Sequence, residues 1–208
     1  HFKKFSKLFK KINNKNGKVY LSFAKKKLSL HLKGKLSAIP YVLKSSFSQN
    51  LQNKKLFRSN NKIKILIASQ CFIDSPHNYG NNLFLDHLHW LKFLSKFINN
   101  KNYNYEWFLK THNDLNPISK KIILNFLKKN KNIKYINENT PNNKIAKDGM
   151  DFVLTCWGSV GFEYAAMGKP IWAGLNGYSA RFVKSEIVGC EVFLPGNIKE
   201  KMDPWVAP

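Results

Sequence analysis

Asp151–Ile171 reads DFVLTCWGSVGFEYAAMGKPI, and its punctuation decides the fold. Phe152, Val153 and Leu154 make a short apolar run, which predicts a buried strand. Gly158 and Ser159 form a tight turn, and a short helix carrying Glu163 follows. Gly168-Lys169-Pro170 ends that helix and launches a second strand at Ile171, Trp172 and Ala173. The first N–H groups of a helix have no partner inside it, and the backbone dipole places its positive end there. A strand that opens through small residues into such a terminus suits a phosphate. A carboxylate one turn further on, here Glu163, can take a sugar hydroxyl, as acidic residues beside nucleotide sites do.

Upstream, the same alternation continues. Ile63–Ser69 (IKILIAS), Tyr105–Lys110 (YEWFLK), Ile133–Ile136 and Phe152–Cys156 predict strands. Leu83–Ile98, Ile118–Lys129, Asn143–Lys147 and about Val160–Met167 predict the intervening helices. Strand and helix alternating at this spacing imply a parallel sheet with helices on both faces, a Rossmann-like α/β domain. Ligands in such sheets lie outside the carboxyl ends of the strands. Four polar loops fall on that rim: Cys71–Gly80, Lys110–Asp114, Asn137–Pro141 and Trp157–Gly161.

The chain has 208 residues, enough for one good core and an arm; 43% of them are hydrophobic and 14% aromatic, which fits a globular protein. No apolar run has the length of a transmembrane helix, and no apolar stretch of signal-peptide type follows the basic first residues. The sequence opens at His1 without a Met and stops at Ala207-Pro208, which leads us to expect a fragment. Cys71, Cys156 and Cys190 are widely spaced and lack ligand spacing, so buried reduced thiols are expected, not a zinc site or a disulfide framework. The net charge of +23 is uneven. Of 35 Lys and Arg, 18 lie between His1 and Ile73 with no acid among them, and the other 17 face 12 acids. The α/β part is thus only mildly basic, and no nucleic-acid module is recognisable, so nucleic acid is not an expected partner.

Residues 1–60 read as a basic arm and linker, the tail of an upstream domain, and 61–208 as the α/β domain. In HFKKFSKLFKKI, Phe2, Phe5, Leu8, Phe9 and Ile12 recur at helical spacing with lysines between them. Such a helix can lie on an anionic membrane or pack on a neighbouring domain. Residues 13–17 (NNKNG) are expected to break it before the apolar stretch VYLSFA.

Three segments carry a resemblance: FIDSPHNYGNNLFLDHLHWLKFL, WFLKTHNDLNP and DGMDFVLTCWGSVGFEYAAMGKPIW. In this order they resemble segments of bacterial capsule and surface-polysaccharide biosynthesis proteins, GT-B glycosyltransferases similar in layout to capsular Kdo transferases and bacterial sialyltransferases. The resemblance spans about Lys62–Ala180 and implies the donor-binding half of the fold, truncated here. It implies a nucleotide-sugar donor, a glycan or glycolipid acceptor, and no metal or other cofactor; an Asp-x-Asp motif is absent. Such an enzyme is expected in the cytoplasm, with the basic arm holding it on the inner face of the plasma membrane near lipid-linked acceptors. Lys110-Thr111-His112-Asn113 stands where relatives carry Lys-Pro-His-Pro, with Asn113 in place of the second Pro. Lys110 and His112 are thereby implied to bind donor phosphates, with Thr140 beside them on the rim. Gly158, Ser159 (as helix N-cap or phosphate ligand) and Gly161 form the anion-binding turn, and Glu163 takes a ribose or sugar hydroxyl. The alternatives are a His that caps the next helix and an ordinary capped helix with a solvent-facing Glu. Asp74 and His77, three apart in a loop with Tyr79, are the candidate catalytic pair for general-base work, although Asp-Ser-Pro is also a common turn. Asp86, His87 and His89 have no HExxH spacing, and GxGxxG and P-loop motifs are absent, which removes support for metal, NAD and P-loop readings. A UDP-sugar 2-epimerase and a non-catalytic basic remnant of the fold remain open alternatives.

Overall fold

The computed structural model describes residues 2–35, 46–73, 86–99, 104–113, 115–156 and 158–173. The chain divides into two compact units, His1–Leu51 and Gln52–Pro208.

The first unit is built on α1, Phe2–Leu32. The break expected at residues 13–17 falls at Asn16, whose φ of −136° and ψ of 16° are non-helical, so α1 is two helical segments that meet at a kink. The residues beyond Gly17 include good helix formers (Leu, Ala and Lys) and no proline, so VYLSFA is helical. The helix stops in a Schellman motif. Gly34 N–H donates to His31 O at 2.8 Å, and Lys35 N–H to Leu30 O at 2.9 Å. Gly34 holds φ at +68°, and a Cβ there would lie 2.9 Å from Phe47 O. Phe47 is buried and meets the His31 ring edge-on at 4.8 Å.

The second unit holds a five-stranded, wholly parallel sheet of the Rossmann-like α/β kind. Its elements are β1 Ile63–Ala68, α2 His87–Ile98, β2 Tyr105–Lys110, α3 Pro117–Lys129, β3 Ile133–Ile136, α4 Asn142–Lys147, β4 Phe152–Thr155, α5 Ser159–Ala166 and β5 Ile171–Ala173. The spatial order is β3-β2-β1-β4-β5. The chain therefore moves one way from β1 and returns to the other side of it at β4, making a topological switch point between β1 and β4.

Side chains alternate along each strand, so each strand feeds two cores. Ile65, Ile67, Trp107, Leu109 and Leu154 pack with Trp90, Leu91 and Leu94 of α2 and Ile123 and Phe126 of α3. Leu66, Ala68, Phe108 and Val153 pack with Ile145 of α4 and Tyr164 and Ala165 of α5. Phe57, which the sequence reading assigns to the linker, belongs to this second core and meets Phe108 edge-on at 4.8 Å.

Helix starts follow local capping. The helix expected from Leu83 begins at His87, because Asp86 is extended and its Oδ1 accepts from His89 N–H at 2.6 Å. The next begins at Pro117 behind Asn116, whose Oδ1 accepts from Ser119 N–H at 2.8 Å.

Candidate nucleotide-binding rim

Alternation along the strands fixes the side on which the rim's chemistry lies. Lys110 follows Phe108 by two residues, Gln70 follows Ala68, and Thr155 follows Val153. All three therefore fall on the sheet face covered by α4 and α5. Glu163 belongs to α5 on that same face.

Lys110 is the last residue of β2 and is only 6% exposed. Its Nζ donates to Asn113 Oδ1 at 3.2 Å, so Asn113 turns the polar loop back onto the lysine. Burial pushes the Lys110 ammonium down to about 8, against the opposite pull of the Glu163 and Glu138 carboxylates. One cation at the end of β2 thus feels two carboxylates, Glu138 from the loop after β3 and Glu163 from α5. Glu138 is a member that sequence reasoning missed. The Tyr135 hydroxyl, which donates to Glu138 Oε2 at 2.7 Å, holds Glu138 below the usual carboxylate range. Its own backbone N–H, Lys120 and Lys110 add to that effect against partial burial. Tyr135 also lies 3.2 Å from Thr111 Oγ1, which ties the ends of β2 and β3 together.

At the switch point, Gly158 caps α5 with φ +105°, a backbone region closed to most side chains. Gln70 approaches it so closely that a Cβ on Gly158 would sit 2.8 Å from Gln70 Nε2. Gln70 Nε2 also reaches the buried Thr155 Oγ1 at 3.5 Å. Gln70 was missed as well; only the non-local pairing of β1 with β4 brings it here. Ser159, expected as N-cap, is instead the first helical residue, because Gly158 takes the cap with its left-handed backbone. Gly161 N–H donates to Gly158 O at 3.3 Å, and a Cβ on Gly161 would lie 3.7 Å from Thr155 Cγ2. That spacing is ordinary contact, so Gly161 gives α5 a close seat on β4.

The other expected site residues are spread along the rim. His112 is exposed, two residues past the end of β2. Thr140 is half-buried in a turn after β3, where its N–H donates to Asn137 O at 2.9 Å. Asp74, His77 and Tyr79 lie outside the described residues, as do Asp114, Trp157 and Cys190. Asp86 is engaged as the α2 cap, and His87 is buried edge-on to Phe72 at 5.8 Å. Cys156 is buried; desolvation, with Asp86 adding to it, pushes its thiol up to about 12.

No family model matches this chain, and no curated protein matches it. Among solved structures, it is similar to a UDP-GlcNAc 2-epimerase from Neisseria meningitidis bound to UDP-GlcNAc, at 22% identity and a TM-score of 0.44. That match takes in 70% of this chain and 37% of the other, so this chain spans little more than a third of that protein.

Proposed function

We propose that residues 52–173 belong to the donor-binding half of a glycosyltransferase that moves a sugar from a nucleotide-sugar to a glycan or glycolipid acceptor of the bacterial surface. The observation that carries this reading is the buried Lys110 at the end of β2 on the sheet face that α5 covers, with the Gly158 turn opening α5 at the switch point. A nucleotide-sugar presents phosphates and hydroxyls side by side, and this rim offers matching groups of both signs. The α5 N-terminus and the Lys110 ammonium suit phosphate oxygens; Glu163 and Glu138 suit ribose or sugar hydroxyls. In transfer, the bond from the anomeric carbon to the donor phosphate breaks and the nucleotide leaves with the electron pair. A bond from that carbon to the acceptor oxygen forms, and a base takes the acceptor's proton; Asp74 and His77 are the candidates for that base. Lys110 and His112 stabilise the charge that develops on the leaving phosphate.

Titration calorimetry of the chain against CMP, UDP, GDP and CDP tests the reading, with His112→Ala and Glu163→Ala as variants. Saturable binding of one nucleotide, weakened roughly tenfold or more in both variants, supports a donor site. Weak binding of all four that disappears with salt supports a basic remnant of the fold instead. Once the nucleotide is known, release of an epimerised nucleotide-sugar without any transfer would replace glycosyl transfer with epimerisation.

A further inference from the structure

The α1 helix carries a surface that the rim chemistry does not use. Leu8 and Ile12 are 56% and 42% exposed, and Val19 and Phe23 are 69% and 58% exposed. Each pair is spaced four residues apart, so its members share a face. The kink at Asn16 lies between the pairs, so each pair forms an apolar patch on its own helical segment, its two side chains about 40° apart around the axis. Lys7, Lys11 and Lys15 lie beside the first pair, Lys18 and Lys26 beside the second, and all five are exposed. Lys27 Nζ lies 4.9 Å from the centre of the Phe23 ring. The helix has ten lysines and no acid.

We propose that these two patches of α1 dock on an anionic lipid bilayer, with Leu8, Ile12, Val19 and Phe23 sunk between the acyl chains and the flanking lysines on the headgroup phosphates. Charge complementarity selects this occupant. Two copies of α1 laid face to face would bring twenty ammonium groups together, whereas an anionic leaflet attracts each of them by roughly fivefold in affinity. Long lysine stems reach up from a buried apolar patch to the phosphate level. A wide basic face opposite a narrower apolar one is the pattern of a helix lying in the interface, and no helix among the described residues is long and apolar enough to cross a membrane.

Sedimentation of the full chain with phosphatidylcholine vesicles, made with and without phosphatidylglycerol, tests this inference separately from any nucleotide binding. Binding to the anionic vesicles should exceed that to the neutral ones by roughly tenfold or more. Ile12→Asp with Phe23→Asp should reduce it about as much while helix content by circular dichroism stays the same. Lys18→Gln with Lys26→Gln, which leaves the apolar patches intact, should weaken anionic binding and flatten its salt dependence. Equal partitioning to both vesicles overturns the proposal. So does unchanged binding of the Asp variant, or a stable dimer that forms without lipid and loses vesicle binding.

Discussion

A methyl group on Gly158 would meet two obstacles at once: a left-handed backbone at φ +105° and Gln70 Nε2 at 2.8 Å. Gly149 shares the same φ but has nothing within 4 Å of its missing Cβ. Gly149→Ala and Gly158→Ala should therefore each destabilise by about 1 kcal/mol from the backbone, as read from urea midpoints, because the Gln70 amide is the far end of a flexible side chain and swings aside at little cost. Only the second substitution should also disturb the proposed donor site, since Gln70 must move away from the α5 N-terminus to admit it. The glycine was legible in the sequence, because Gly-Ser between a strand and a helix has a turn signature. Its partner was not. Gln70 lies 88 positions earlier, and no local periodicity announces which strand end faces which.

At the scale of elements, strands were easier to read than helix ends. YEWFLK and the Ile133–Ile136 run needed no adjustment, since each is a short run of strand-forming residues bounded by polar loops. Helix starts moved by one to four residues because one capping residue decides each of these: the side chains of Asp86 for α2 and Asn116 for α3, and the backbone of Gly158 for α5. The α3 cap has a second task. Ser119 is fully buried and its Oγ accepts from Phe72 N–H at 2.9 Å, while Asn116 Nδ2 donates to Cys71 Sγ at 2.8 Å. The start of the β1–α2 connection is thus fastened to the first turn of α3. Ser119→Ala leaves the Phe72 amide without that acceptor and should destabilise by about 1–3 kcal/mol. Hydrogen exchange at Phe72 should quicken, while amides within β1 stay protected. Unchanged exchange at Phe72 would show that the loop is held by something else.

For the whole molecule, stability against pH reads out the buried groups together. Folding lowers Lys110 from its ordinary 10.5 to about 8. Between those values the unfolded chain keeps the proton that the folded one has released, so this group makes stability rise with pH, by on the order of 3 kcal/mol across the window. Cys156 works in the opposite sense. Its thiol is raised from 9.0 to about 12, so the unfolded state ionises first and stability falls from pH 9 upward. Subtracting Lys110→Met from the parent chain isolates the lysine: the parent should gain on the variant from pH 8 to about 10.5 in denaturant titrations and lag behind it at pH 7. A difference that stays flat would mean the ammonium is solvated. No composition figure foretold this balance, because the net charge of +23 is dominated by lysines that face water. The positions of Lys110 and Glu163 have one more consequence. They come from β2 and from the helix after β4, the two strands hydrogen-bonded to either side of β1. Two interstrand spacings, about 10 Å in all, separate β2 from β4. Backbone ladders hold that gauge between the strands, so a change of length or sequence in the connection beyond Ile73 leaves the spacing of the two rim ends in place.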